Sequence, residues 1–402
     1  MTSTSNVNVP ARRARPGNRR ELILAAAAEL FARKGYPQVG MAAIAEVVGV
    51  RPSALYRHFA SKEELLREAI SAPFQPTLDV LDQAADEPFG RIVSTLANVT
   101  LDHRWAGVLW QRESRHLPPT ARTELMGAFQ TSVDVLGKAL GRNRPELSAL
   151  QTELLAWSVM TVVISASFYP PQRSRKDDER LLASLAQTAA NASVPMIERS
   201  PSLRPQGGLT FRSRRESLLS AAISLFAENG SAAVSLEEVG ASVGIAGPSI
   251  YSHFASKSDL LAMAFRRGDE VLRMEMSQAL SGAVDAGDAL VRLLKSYTSF
   301  AFSSVDLIQL LRAEVPQLPD VERRVYVQSQ REYIDEWVYL MRAVQPSQSS
   351  IVADIRVRTA LNVVNGIARR PHLRGGRGVA DALEVIGRDL LQLTPIPQPS
   401  ES

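Results

Sequence analysis

The chain contains one stretch twice. Residues Arg19 to Ile70 align with Arg214 to Phe265 at an offset of 195 without a gap, and 22 of 52 positions are identical. That is far above what shared composition gives, so whatever the first copy folds into, the second must adopt as well. Both copies open on Arg-Arg-Glu (19–21, 214–216), run through Leu-Phe-Ala (30–32, 225–227) and share a glycine at 35 and 230. Both carry Val-Gly at 48–49 and 243–244, then Tyr-x-His-Phe-Ala-Ser-Lys with a Leu-Leu pair (56–66, 251–261).

The likeness continues further along at a different offset. At 201, Glu113 falls on Glu314, Leu117-Pro118 on Leu318-Pro319, Val162-Val163 on Val363-Val364 and Pro170 on Pro371. The change of offset puts a net insertion in the second half, around Gly268 to Asp288. Each half is thus a small module followed by a larger one. The expected division is 18–71 and 213–267 for the small modules, 72–191 and 268–393 for the large ones, and 192–212 for the joint. Pro195, Pro201, Pro205 and Gly207-Gly208 cannot sustain a helix, so the joint reads as a linker. Residues 1–17 and 394–402 read as a disordered basic arm and a disordered tail.

Apolar residues recur at three- and four-residue spacing in Glu21 to Phe31, Glu153 to Phe168 and Ile351 to Ala368, and sustained strand alternation is missing. The fold class is all-α. In the first copy Met41 to Val48 reads as a short helix, Gly49-Val50-Arg51 as a tight turn and Pro52 to Phe59 as a second helix. Gly49 supplies a positive φ and Pro52 suits a helix start. Ile44, Val47, Leu55 and Phe59 are the expected locks onto the helix ending at Phe31 and Ala32. The second copy repeats this with Val239, Gly244, Ile250 and Phe254, and adds a capping box of Ser235 with Glu238 where the first has Gly40. The pattern is a helix-turn-helix, at about 40–59 and 235–254.

Charge follows the repeat: +5 over residues 1–70 and +2 over 191–267, against −1 over 71–190 and −2 over 268–402. Basic modules joined to neutral or acidic ones suit phosphate-facing units paired with units that face something else, although a solvated basic surface gives the same count. The composition also excludes several classes. Without cysteine there is neither a disulfide nor a thiolate site, and the five histidines (58, 103, 116, 253, 372) show no metal-ligand spacing and no nucleophile signature. Phosphate-loop and dinucleotide fingerprints are missing too. The expectation is a cytoplasmic, non-enzymatic chain with neither cofactor nor metal and without membrane insertion.

The runs IAEVVGVRPSALYRHFASKEELL and VGASVGIAGPSIYSHFASKSDLL resemble the DNA-binding signature of the TetR family of bacterial transcriptional regulators. The Leu-Pro turns and paired C-terminal helices are similar, more weakly, to that family's effector domain. Most members carry one such unit and dimerise; two units in one chain resemble a small group of double-TetR repressors associated with lipid import and metabolism. The resemblance implies a double-stranded DNA operator as partner, with Tyr56, His58, Tyr251 and His253 at the phosphate backbone.

A helix of this size fits the major groove with its early residues at the base edges. The candidates are Arg51, Ser53, Ala54 and Arg57 in the first copy and Gly247, Ser249 and Ser252 in the second. Lys62 and Lys257, at the start of the next helix, suit phosphate contact. Where the first copy has Arg51 and Arg57, the second has Ala246 and Ser252, which predicts an operator with unequal halves. The basic stretches Arg12 to Arg20 and Arg212 to Arg215 are candidate DNA arms or plain solvated tails.

Leu150 to Tyr169 with Asp177 to Asn191, and Ile351 to Arg370 with Gly378 to Leu393, stand where family members form a four-helix interface between subunits. Their meeting within one chain would make a pseudo-dimer with units about 34 Å apart, acting as a monomer or dimerising again. The family's effector domains enclose an apolar pocket for a small hydrophobic effector. Its candidate lining is Trp105, Leu109, Trp110, Phe129 and Trp157 in the first half, and Phe300, Phe302, Leu307, Tyr333 and Trp337 in the second. Such aromatics serve equally as plain core. Arg112, Glu113 and Glu314 are read as ligand-head contacts or, alternatively, as solvated surface. A ligand-binding or interaction scaffold with one degenerate unit is the competing function.

Overall fold

The structure, a computed structural model, describes residues 19–83, 87–169, 171–199, 211–245 and 247–393. The expected tails at 1–17 and 394–402, and the middle of the expected linker, lie outside these. Among the described residues there are helices and a single isolated β-bridge, Glu198 with Arg377.

The first small module is α1 (Arg19–Lys34), α2 (Met41–Val48), α3 (Pro52–Leu55) and α4 (Lys62–Ser71). Ile23, Ala27 and Phe31 fall on one face of α1 and are fully buried. They meet Ile44, Leu55, Phe59 and Leu65 in a core of the module's own, which Leu109 and Leu117 of the following domain also enter. Val47 is exposed rather than locked in, and Ala45 takes the buried place. The following domain is α5 (Phe74–Gln83), α6 (Phe89–Asp102), α7 (Ala106–Glu113), α8 (Pro119–Asn143), α9 (Ala149–Ile164) and α10 (Arg175–Asn191).

The second half repeats the order as α11 (Arg214–Asn229), α12 (Leu236–Ser242), α13 (Gly247–Ile250), α14 (Lys257–Ser281), α15 (Ala286–Ser303), α16 (Val305–Ala313), α17 (Asp320–Val344), α18 (Ser350–Ala368), α19 (Pro371–Arg374) and α20 (Val379–Leu390). One difference matters. In the first half α4 ends at Ser71, and Ala72 and Pro73 separate it from α5; in the second, α14 runs unbroken for 25 residues. At the repeat offset Pro73 is replaced by Gly268 and Pro76 by Val271, so nothing interrupts the helix. The boundary expected at 267/268 therefore falls inside a continuous helix, and the core of the second module runs on into the main core of the molecule.

The halves meet through equivalent helices: α9 packs on α18 and α10 on α20. Within the α9–α18 contact, the end of α9 is joined to α18 by a buried hydrogen bond of 3.0 Å between the Ser165 and Thr359 hydroxyls. Towards the other end of α9, His372 reaches Glu153 at 2.8 Å. The segment Ala149–Phe168 is long and apolar enough to cross a membrane, but 72% of that window is buried in the protein, as a core helix requires. The start of the expected linker is docked rather than free. Gln151 donates to the carbonyls of Val194 and Pro195 at 3.2 and 3.0 Å, and Glu198 and Arg377 exchange backbone hydrogen bonds at 3.1 and 3.0 Å.

Candidate nucleic-acid interface

The turn between α2 and α3 is built by Gly49 at φ 70°, and that between α12 and α13 by Gly244 at φ 69°, a conformation that disfavours side chains. In each copy the residue after the glycine donates back across the turn: Val50 to Ala45 O at 2.9 Å and Ile245 to Gly240 O at 2.8 Å. The predicted capping box forms, with Ser235 Oγ accepting from Glu238 N–H at 3.1 Å and the Glu238 carboxylate accepting from Ser235 N–H at 2.6 Å. The second short helix of each motif is four residues long, shorter than the 52–59 expected. It continues as turns closed by Phe59 and Phe254 N–H on the carbonyls of Leu55 and Ile250, both at 3.0 Å. Those two rings are buried and fix the turn to the module core.

This leaves one outward strip per module. In the first, Arg51, Ser53, Tyr56 and Arg57 are exposed and Ala54 and His58 half-buried. In the second, Gly247 opens α13, while Ser249, Tyr251 and Ser252 are exposed and His253 half-buried. The second strip is partly engaged with itself: Tyr251 Oη donates to Glu237 at 2.8 Å and Ser252 Oγ to Ser249 O at 2.8 Å. That bond holds the Glu237 carboxyl below, and the Tyr251 phenol above, their ordinary pKa ranges. Glu237 has no counterpart in the first copy, where Ala42 stands.

Several basic residues expected on DNA make contacts within their own module. Lys257 Nζ donates to Ala232 O and Val234 O at 3.3 and 3.0 Å, and Lys62 Nζ lies 4.1 Å from the centre of the Tyr36 ring. Arg20 and Arg215, the ends of the basic stretches, lie over the Phe59 and Phe254 rings at 4.7 and 4.3 Å. Arg20 also pairs with Glu68 at 2.5 Å, and Arg215 donates to His253 O. They clamp the motif; Arg12 to Arg15 lie outside the described residues.

Glu113 and Glu314 are not surface groups. Both are buried, and each reaches back to the loop after its module's first helix. Glu113 accepts from Tyr36 N–H at 3.2 Å, with Arg112 and His116 both at 3.5 Å; Glu314 accepts from Ser231 N–H at 3.0 Å and from the Ser231 hydroxyl. Arg112 adds a bond to Ala32 O at 2.9 Å. These contacts tie the end of α7 or α16 to a helix-turn-helix. The cation that pairs with Glu314 is Arg115, from the other half. Arg115 packs on the backbone of Gly230, where an added Cβ would lie 2.9 Å from Arg115 Nη1. The repeat held the signal: Glu is kept at 113 and 314 while its neighbours Arg112 and Ser114 become Ala313 and Val315.

Two cavities lie behind the modules. The first, about 70 Å³, is bounded by α4 to α9 and takes its aromatic wall from Trp110, Phe129 and Phe74. Of the other first-half candidates, Leu109 is in the module core, Trp105 packs against that core, and Trp157 is in the main core under the Arg370 guanidinium at 3.5 Å. The second cavity, about 440 Å³, takes Tyr333 into its wall. Phe300, Phe302 and Leu307 line a separate groove against α11, and Trp337 is fully buried core.

The family model for the DNA-binding domain of bacterial regulatory proteins of the TetR family matches residues 23–69 and again 218–264. The transcriptional repressor KstR2 of Mycolicibacterium smegmatis is 27% identical over 33% of this chain and 71% of its own length. The transcriptional regulator TcmR of Streptomyces glaucescens is 39% identical over 20% of this chain and 36% of its own. Among solved structures, the ketosteroid transcriptional regulator KstR2 of Mycobacterium tuberculosis matches 46% of this chain and 98% of its own, at 19% identity and a TM-score of 0.41. The chain therefore belongs to the TetR family of DNA-binding transcriptional regulators and carries the family's DNA-binding domain twice.

Proposed function

We propose that the chain is a ligand-responsive repressor in which one polypeptide does the work of a TetR dimer on an operator with unequal halves. The observation that carries this reading is the packing of α9 on α18 and of α10 on α20, equivalent helices of the two halves meeting as a symmetric pair does between subunits. Arg51 and Arg57 supply base hydrogen bonds at one half-site; the second module contributes backbone and shape contacts through Tyr251, His253 and Ser249. The test is the mass of the operator complex by light scattering, with footprinting of each strand. One chain per operator and unequal protection are expected; two chains on a perfect palindrome overturn it.

The effector belongs to the lipid, acyl or steroid class. Support comes from the apolar wall of the first cavity, built by Trp110, Phe129 and Phe74. At about 70 Å³ that cavity is below the roughly 300–1,000 Å³ of ligand pockets, so a ligand of this class enters by spreading α5, α7 and α8. It releases DNA only as far as it prefers the spread form.

A second reading, in which the second module is a degenerate reader on a binding scaffold, is favoured by the Tyr251–Glu237 bond. Two variants separate them. Arg57→Ala weakens operator binding by about 1–3 kcal/mol under either reading. Glu237→Ala frees the Tyr251 hydroxyl and removes a carboxylate facing the phosphates, so affinity rises by roughly threefold to tenfold if the second module binds DNA and stays unchanged if it is degenerate.

A further inference from the structure

Duplication gives the two halves equivalent cavity positions; Trp110 and Met160 stay apolar as Leu311 and Leu361, but three positions have turned from apolar to polar. Leu96, Phe129 and Ile164 line the first cavity; at the offset of 201 their counterparts Tyr297, Gln330 and Asn365 line the second. An apolar wall has become a hydrogen-bonding one. Tyr297 and Asn365 already bond to each other at 3.0 Å or less, which fixes a phenol and an amide at the wall.

The charges within this wall do not cancel. Arg358 is held by Asp354 at 2.8 Å, and Asp269 is taken by Arg273 at 3.3 Å. Arg312 has no carboxylate partner among the described residues. Its Nη2 donates to Gln111 Oε1 at 2.9 Å and its guanidinium lies over the Phe168 ring at 5.2 Å, both from the first half. Burial pulls its pKa down, with the Tyr297 and Tyr326 phenols pulling the other way. The exposed Arg331 at the rim is likewise without an acidic partner. A half-buried guanidinium beside a chamber of about 440 Å³, with donors already placed, is costly until an anion meets it. The volume is that of a site for a small organic molecule.

We propose that the second-half cavity binds a small amphiphilic anion, its carboxylate or phosphate oxygens accepting from Arg312 and its body lying against Tyr297, Tyr326 and Ile334. The chain thus senses two chemistries, an apolar one in the first half and an anionic one at the junction of the halves. This goes beyond the effector proposed above. Because Gln111 is two residues before Glu113, an anion that draws Arg312 away from Gln111 acts next to the contact that holds the first module.

The experiment uses the full chain without DNA, so that its failure leaves the operator reading standing. The chain is titrated with anilinonaphthalene sulfonate and with uncharged phenylnaphthylamine, followed by fluorescence. The sulfonate is expected to bind one site per chain. Arg312→Gln, which installs the first half's residue, should weaken it by roughly tenfold or more and leave the uncharged probe unaffected. If that variant does not fold, Gln330→Phe, again the first half's residue, reads the same wall. Equal affinity of the two probes, or an unchanged sulfonate affinity in the folded variant, overturns the proposal. Displacement of the sulfonate by decanoate supports a carboxylate ligand and displacement by decyl phosphate a phosphate; displacement by neither overturns it.

Discussion

At the scale of single residues, the side chains nearest the turn between α1 and α2 set an acid limit on the first module. His116 stacks on Tyr36 at 5.1 Å and lies 3.5 Å from Glu113. Burial first, then Arg115 and Lys62, lower its pKa from 6.5 to about 4. The unfolded chain therefore takes up a proton that the folded chain refuses between these values, and stability falls as pH drops through that window. The loss is at most roughly 3 kcal/mol and is complete by about pH 4. Melting temperatures at pH 7 and pH 5 should differ for the native chain, and His116→Gln should flatten the difference; an equal drop in both would show that His116 is not the group responsible. The sequence offered His116 only as a histidine without metal spacing. Arg115 is its neighbour in sequence, but Tyr36 and Lys62 come from two other elements, and only the fold brings them to it.

At the scale of elements, the repeat made most of the architecture legible. The turn glycines, the capping box, the buried Phe59 and Phe254 and the all-helical order follow from spacing alone, because they depend on neighbours within a few residues. Burial across elements does not follow. Glu113 and Glu314 read as surface because acidic residues usually are, and Trp157 and Trp337 read as pocket wall because helical aromatics serve either use. The joint at Arg115 is the largest such case. Position 316 in the second half is proline, so among the described residues the second module alone is held by a cation from the opposite half. Arg115→Ala leaves Glu314 buried without its partner, and protection of the second half-site should fade by tenfold or more while the first is retained. Hydroxyl-radical footprinting of the variant reads each half separately. Equal weakening of both would point to general destabilisation instead, and Arg115→Lys should restore part of the second footprint.

At the scale of the whole molecule, α9 packs on α18 where the halves meet, and on the proposed one-chain reading the operator must conform to the separation this contact sets. Inserting about 5 base pairs between the half-sites turns one to the opposite face of the duplex, and affinity should fall to that of a single half-site. Unchanged binding to such a DNA would mean that the halves rotate freely about their contact, against the buried Ser165–Thr359 bond.

The unbroken α14 gives this arrangement a handedness of behaviour that a symmetric dimer lacks. The second module runs into its following domain through a 25-residue rod, while the first is joined to its own through the break at Ala72 and Pro73. On the proposed reading the pair works as a calliper whose second jaw is continuous with its arm, and small changes in operator length should be absorbed at the break, on the Arg51 and Arg57 side alone.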